Sequence, residues 1–123
     1  MLITDIPVDF CHDDDRGSLT QLAHNSIGQV NILVSRKGSI RGNHYHKIST
    51  ESFYVVSGSV EVSGFKDNET DKRFFKTGDF FQIKPYVVHS MTFPEDCVLV
   101  AMYDICVEKV DGTMDIYKWE GAQ

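Results

Sequence analysis

The chain has 123 residues, of which 41% are hydrophobic and 24% are charged, and its formal net charge is −6 at pH 7. A chain of this length forms one domain with its own core, so we expect a single domain over residues 1–123. The chain is acidic and has no run of basic residues, which excludes nucleic acid as a partner. It also has no apolar run of roughly 20 residues, which excludes a membrane-spanning helix.

The N-terminal segment carries Asp5, Pro7 and Asp9 where a signal peptide needs an uninterrupted apolar run, so we expect a cytoplasmic protein. The acidic stretch 11–16 that follows is interpreted as a solvated loop. Three cysteines, an odd number without CxxC spacing, favour buried and reduced thiols over disulfides or a thiolate zinc site. They are Cys11, Cys97 and Cys106.

The rest of the chain alternates short runs of Val, Ile, Phe and Tyr with Gly, Asn, Asp and Pro, and no stretch has a convincing helical period. We therefore predict an all-β fold. Eight short strands at this spacing are typical of a sandwich or barrel. The predicted strands are Gln29–Arg36, Ser52–Ser57, Ser59–Phe65, Lys72–Lys76, Phe80–Lys84, Val87–Phe93, Cys97–Val107 and Thr113–Trp119.

Turn residues support these boundaries. Gly58 lies between two predicted strands, Asp67 and Asn68 separate another pair, and the pair Asp111–Gly112 precedes the last strand. This succession predicts a chain of antiparallel hairpins. In the strand that begins at Cys97, residues 98–103 are apolar on both faces, which indicates a central strand that is covered on both sides.

Within this pattern, His44 and His46 are two residues apart, so in an extended segment both imidazoles point to the same face. Glu51 stands at the head of the next predicted strand and can supply an anionic oxygen beside them. His89 lies far along the chain inside an apolar strand, where a buried imidazole needs a partner. These four residues are the candidate metal ligands.

The spacing of these residues resembles that of the cupin family. The first cupin motif is matched over 38–58 without departure, and the second over 78–93 is matched less fully, because Tyr86 and Val87 stand where a Gly is often found and Phe93 where an Asn is often found. The first motif consists of Gly38, His44, His46, Glu51 and Gly58, and the matching residues of the second are Gly78, Asp79, Pro85 and His89.

The resemblance implies a cupin double-stranded β-helix, or jelly-roll, barrel. It also implies one divalent transition metal, Zn, Mn, Fe, Ni or Co, bound by His44, His46, Glu51 and His89, with the remaining coordination positions open. Mixed imidazole and carboxylate ligands suit all these metals and do not select one. Small cupins resemble one another in pairing through edge strands, so a homodimer is expected.

A finer resemblance lies in residues 15–17 and 40–47, which are similar to cupin domains that act on nucleotide-linked keto sugars in polysaccharide biosynthesis. It implies an isomerase or epimerase with a nucleotide sugar as substrate. His44 would be the base that removes a carbon-bound proton, or a metal ligand, and Arg41 would contact a sugar or phosphate oxygen. Tyr103 is the aromatic residue that we select as a further catalytic candidate. The metal-free members of this group typically lack the Glu that this chain has at position 51.

Two other classes of function remain open. An open-sided metal with His and carboxylate ligands also suits a dioxygenase of a small molecule. A cupin with a narrow or plugged barrel mouth would instead be a binding module or sensor without catalytic activity. His12 and His24 match no motif position, and we expect them at the surface.

Overall fold

The computed structural model describes residues 1–25 and 27–121, and within them the only regular secondary structure is β-strand. None of the described residues lies in a helix that is long and apolar enough to cross a membrane. The strands are β1 Ile3–Asp5, β2 Phe10–Asp14, β3 Gly17–Gln21, β4 Gln29–Ser35, β5 Ile40–Tyr45, β6 Glu51–Ser57, β7 Ser59–Lys66, β8 Glu69–Lys76, β9 Phe80–Ile83, β10 Val88–Thr92, β11 Cys97–Tyr103 and β12 Tyr117–Lys118.

The strands form two five-stranded antiparallel sheets and a separate β2–β3 hairpin. The first sheet has the order β1-β9-β6-β11-β4 and the second the order β12-β5-β10-β7-β8. The predicted chain of hairpins is therefore wrong for the two large sheets, where only β7 and β8 are neighbours both in sequence and in the sheet. Successive strands cross between the sheets, as in a jelly roll, because each sheet buries its apolar face against the other.

Large aromatic side chains fill the space between the two sheets. Phe53 and Phe81 of the first sheet and Phe75 of the second are at most 1% exposed. The rings of Phe75 and Phe81 stack with their centroids 3.9 Å apart, and those of Phe53 and Phe81 lie 5.1 Å apart. Burying a side chain of this size stabilises the fold by roughly 1.5–3 kcal/mol. The all-β cupin fold expected from the sequence is confirmed.

Two predicted strands differ from the observed ones at the C-terminal end. The strand from Cys97 ends at Tyr103 rather than at Val107, because the Asp104 carboxylate accepts the backbone N–H groups of Thr50 and Ile105 and turns the chain away from the sheet. The predicted strand 113–119 is reduced to an isolated bridge at Met114 and to β12. The predicted central position of β11, between β6 and β4, is confirmed.

The N-terminal region holds three strands that the sequence interpretation missed. Residues 11–16, expected to be a loop, belong to the β2–β3 hairpin, whose side chains are almost all exposed. Its residues are too polar to show a buried face in their pattern. Cys11 is exposed on this hairpin and Cys106 is exposed beyond β11, so only Cys97 of the three predicted buried thiols is buried. His12 and His24 are exposed, as expected.

Candidate active site

The four candidate ligands come together between the two sheets at one end of the barrel. His44 on β5 pairs in register with His89 on β10, in the second sheet. Glu51, the first residue of β6, faces them from the first sheet, and His46 follows directly after β5. One ligand atom from each side chain lies within 4.8 Å of every other. The structure therefore brings together all four residues selected from the sequence spacing.

The alternation of side chains along β5 explains why the two histidines of the first motif point into the same site. The ring centroids of His44 and His46 are 5.2 Å apart, and each lies within 5.6 Å of the centroid of His89. Tyr45, between the two histidines, points to the opposite face and stacks with Tyr117. The alternation of a β-strand thus places two imidazoles in the barrel and one phenol outside it.

Backbone carbonyl groups set the orientation of the two buried histidines. Nδ1 of His46 donates to the carbonyl oxygen of Asp115 at 2.6 Å, and Nδ1 of His89 donates to that of Val87 at 3.0 Å. Because a carbonyl oxygen can only accept, both Nδ1 atoms carry hydrogen, and the Nε2 atoms face the carboxylate of Glu51. The Glu51 Oε1 atom lies 3.1 Å from Nε2 of His46 and 3.5 Å from Nε2 of His89.

The donor set fits a divalent transition metal. Nε2 of His89 is buried and has no hydrogen-bond partner, which is costly for a polar atom unless another group satisfies it. It points towards the same space as the Glu51 carboxylate and Nε2 of His46. Three imidazoles and one carboxylate are ligands that suit the first-row divalent metals. His44, His46, Glu51 and His89 are thus the residues that would hold such an ion.

Burial and mutual charge shift the titration of these groups in different directions. Burial lowers the pKa of His44 to about 4, and the positive charges of the neighbouring His89 and His46 act in the same direction. Burial alone would raise the pKa of Glu51, but the hydrogen bond with His46 and the neighbouring charges of His46 and His89 outweigh it and lower that pKa to about 2. At neutral pH, His44 is therefore uncharged and Glu51 is ionised.

Tyr103, at the end of β11, pairs in register with Glu51, and only 8% of its surface is exposed. Its ring meets that of His46 edge to face at 5.4 Å. Burial raises the pKa of the Tyr103 phenol strongly, and the charge of Glu51 raises it further. The phenol therefore keeps its proton at neutral pH and can act as a proton donor.

Arg41 lies on the same strand as His44, at the rim of a cavity of about 300 Å³. Its Nε donates to Oγ of Ser35 at 2.8 Å and its Nη2 to the carbonyl oxygen of Val34 at 3.1 Å, so the guanidinium is held in place. The cavity is lined by Leu33, Arg41, Gly42, His44, Glu51, His89, Met91 and Tyr103. All the candidate catalytic, substrate-binding and metal-ligating residues except His46 thus line one cavity.

A larger groove, of about 670 Å³, lies on the outer side of the second sheet and contains none of these residues. Half of its lining residues are aromatic, Tyr86 and Trp119 among them. Since none of the clustered His and Glu side chains lines this groove, we place the chemistry in the smaller cavity between the sheets.

Asp115 is a site residue that the sequence interpretation missed. It is 1% exposed, and both its carboxylate and its carbonyl group bond to the segment that contains His46. No motif or alternation marks this position, because the surrounding segment has little regular structure. The nearest signal is the Asp111–Gly112 turn, which returns the chain towards the barrel.

The double-sheet barrel with this cluster at its open end defines a cupin-type domain of the kind found in sugar-modifying enzymes. More narrowly, the chain belongs to the polysaccharide biosynthesis C-terminal domain family, whose model matches residues 12–103.

Three known proteins illustrate this relationship. A curated relative, the UDP-2-acetamido-2,6-beta-L-arabino-hexul-4-ose reductase of Pseudomonas aeruginosa, is 32% identical over 80 residues, which cover 64% of this chain and 18% of the relative. The capsular polysaccharide assembling protein CapF of Staphylococcus aureus is 25% identical with a TM-score of 0.68, over 94% of this chain and 33% of CapF.

The third is a double mutant of the 3,4-ketoisomerase QdtA of Thermoanaerobacterium thermosaccharolyticum, solved in complex with TDP. It is 25% identical with a TM-score of 0.71, over 84% of this chain and 80% of QdtA. This chain therefore spans about a fifth of the curated reductase and a third of CapF, but most of the length of the ketoisomerase.

Proposed function

We propose that this chain is an isomerase or epimerase that acts on a nucleotide-linked keto sugar by removing a proton from a carbon next to the carbonyl group. The observation that carries the proposal is that the His44 imidazole and the Tyr103 phenol line one cavity between the two sheets. At neutral pH His44 is uncharged and Tyr103 keeps its proton, so one can accept a proton and the other can donate one.

The relatives support the substrate class. QdtA, which matches over most of its length, is a sugar 3,4-ketoisomerase and was solved with TDP, and the curated relative is named for a UDP-linked hexulose. In this chain Arg41 is the cation at the cavity rim, fixed by two hydrogen bonds, with further N–H donors left for a sugar or phosphate oxygen. We propose Arg41 as the substrate-binding residue.

We also propose that His44, His46, Glu51 and His89 bind one divalent transition metal. The buried, unpartnered Nε2 of His89 beside the Glu51 carboxylate supports this assignment. When bound, such an ion would act as a Lewis acid towards a substrate oxygen. His44 has two roles in this proposal, as base and as metal ligand, and the Tyr103 variant below avoids that overlap.

The test of reaction class is solvent exchange. Incubation of the protein in heavy water with a nucleotide-linked 4-keto-6-deoxy sugar should place deuterium at C3 or C5, detectable by NMR or mass spectrometry even without net turnover. Tyr103→Phe should slow exchange by about 10²–10⁴-fold, the usual contribution of a positioned acid or base. Tyr117→Phe is the matched control, because Tyr117 stacks on the outer side of β5, away from the cavity.

The absence of exchange into a panel of keto sugar nucleotides, with each of the five metals supplied, would refute the isomerase proposal. Oxygen uptake by the iron-loaded protein with a small aromatic, thiol or diketone substrate would instead establish a dioxygenase. If Tyr103→Phe exchanges as fast as Tyr117→Phe, Tyr103 has no part in proton transfer.

We further propose that the chain forms a homodimer through β4, an edge strand of the first sheet. The outward side chains Val30, Ile32 and Val34 are each more than half exposed and form a continuous apolar row. An apolar edge strand with unpaired backbone groups is an aggregation risk in a monomer. Antiparallel pairing of β4 with itself about a twofold axis is self-complementary, so a second copy would pair the edge and bring the two apolar rows side by side.

A further inference from the structure

The segment 104–121 follows the last long strand and returns across the barrel end that holds the candidate site. Its anchors are Val107 and Asp115, each 1% exposed. Beyond them β12 pairs with β5, with Lys118 opposite His44, and the backbone N–H of Trp119 donates to the carbonyl oxygen of Asn43. This strap lies C-terminal to the region that matches the family model, which ends at residue 103.

The carboxylate of Asp115 binds the turn that joins two of the candidate ligands. Oδ1 accepts the backbone N–H of Lys47 at 2.8 Å, and Oδ2 accepts those of Ile48 and Ser49 at 3.0 Å each. These three residues follow His46 directly, and only Thr50 separates them from Glu51. Three charge-assisted hydrogen bonds to consecutive N–H groups leave this turn little freedom. The Asp115 carboxylate therefore holds three of the four residues between His46 and Glu51, and Asp104, also in the strap, accepts the N–H of the fourth, Thr50.

The backbone of the same residue bonds to the histidine itself. The carbonyl oxygen of Asp115 accepts from Nδ1 of His46 at 2.6 Å. The hydrogen therefore stays on Nδ1 whether or not Nε2 also carries one, and Nε2 is the atom turned towards Glu51. A rotation of the ring by half a turn would break this bond and place a carbon atom where Nε2 now lies.

We infer that Asp115 is a positioning residue, which fixes the ring orientation of His46 and the His46-to-Glu51 turn so that both present their donor atoms to the candidate metal site. The inference rests on the proposed metal site. It assigns to the C-terminal strap the hydrogen bonds that hold two of the candidate ligands in place. Hydrogen-bond partners of metal ligands typically change metal affinity by about 10–100-fold when they are removed. Asp115 supports the candidate site in two ways: its carboxylate binds the turn after His46, and its carbonyl oxygen binds the ring of His46.

The test compares Asp115→Asn with Asp111→Asn in the full chain. An amide offers one acceptor oxygen and directs N–H donors at backbone N–H groups, so Asp115→Asn loses part of the three-bond array. Asp111 lies in the same segment, and within the described part of the chain its carboxylate bonds only to Thr113, in its own turn. Zinc affinity is measured by competition with a chromophoric chelator, and ligand geometry by the visible absorption of the cobalt-loaded protein.

Asp115→Asn should bind zinc about 10–100-fold more weakly and shift the cobalt bands, with its β circular-dichroism signal retained, whereas Asp111→Asn should match the wild type. Equal zinc affinity and unchanged cobalt bands in Asp115→Asn would overturn the inference. If the wild type itself binds neither ion, the proposed metal site fails, and a second measurement tests the role of Asp115 separately.

That measurement is ¹⁵N–¹H NMR of the histidine side chains in the metal-free wild-type protein. The hydrogen on Nδ1 of His46 should give a resolved signal that exchanges slowly with solvent, because the atom is buried and bonded to Asp115. A wild-type His46 ring that carries its slowly exchanging hydrogen only on Nε2 would refute the inference, whatever the folding of the variants.

Discussion

Glu51 gives the candidate site its charge balance. It is the only carboxylate among the four ligands and lies against two imidazoles, which together lower its pKa to about 2 despite burial. A buried carboxylate without these partners would be costly, so the glutamate and the histidines stabilise one another as well as any bound ion. Strand alternation and the turn between β5 and β6 are local features, so the sequence predicts the proximity of His44, His46 and Glu51, whereas the resemblance to the cupin motifs adds the distant His89.

His46 is the ligand whose removal tests the metal assignment most directly. His46→Ala should lower metal affinity by at least about tenfold, because it removes an Nε2 donor that the Asp115 carbonyl orients. His24→Ala is the matched control, since His24 is exposed and pairs with Asp9. Isothermal titration with zinc or cobalt measures both. Equal affinities for the two variants would show that the motif residues are not the metal site.

Asp115 and Arg41 make hydrogen bonds that could not be predicted from the sequence. Asp115 lies 69 residues from His46, and nothing in its neighbours marks it as buried. The resemblance selects Arg41, but its bonds to Ser35 and Val34, six and seven residues earlier, depend on the corner between β4 and β5, which belong to different sheets. A contact such as that of Asp115, between segments distant in sequence, has no local pattern from which it can be predicted.

Among the elements, the strands of the barrel core were the most predictable. The predicted strands over 29–36, 52–57, 59–65 and 80–84 agree with the observed β4, β6, β7 and β9 to within one residue at every end. Their alternating or continuous apolar pattern is strong because one or both faces are buried. The β2–β3 hairpin has no comparable pattern because almost all its side chains are exposed, and β1 has none because it is only three residues long, of which Ile3 alone is buried.

The contact between β5 and β10 allows a test of how tightly the site is built. Gly42 has a φ of +101°, and a Cβ atom there would lie 2.7 Å from the carbonyl oxygen of His89, where the β5–β10 register shifts. Gly42→Ala should therefore lower the free energy of unfolding by more than the roughly 1–2 kcal/mol expected for a positive φ alone. The β10 backbone would have to move and would carry His89 with it.

Gly38→Ala is the control for this prediction. Gly38 also has a positive φ, of +86°, but a Cβ atom there meets no other atom within 4 Å. Urea denaturation followed by circular dichroism measures both variants. If the two lose the same stability, the close approach of β5 to β10 does not constrain the site.

For the whole molecule, the apolar row on β4 leads to a prediction about assembly. The wild type should be a dimer at micromolar concentration by size-exclusion chromatography with light scattering. Ile32→Asp, which places a charge in the middle of the row, should shift it to monomer while leaving the fold intact. Val110→Asp is the control, because Val110 is fully exposed outside the strands. A monomeric wild type, or an Ile32→Asp dimer, would contradict the proposed interface.

The strand order also has a kinetic consequence. Neighbouring strands in the first sheet are never consecutive in sequence, so each pairing must close a long loop of chain. The entropy cost of closing that loop comes before the stabilising contacts form. Chains dominated by such non-local pairings fold on a scale of about milliseconds to seconds. In the two large sheets only the β7–β8 hairpin can form early without this cost. A partly folded chain would therefore offer a metal ion the ligands of the first motif, His44, His46 and Glu51, which are close in sequence, and His89 only once β10 has joined the barrel.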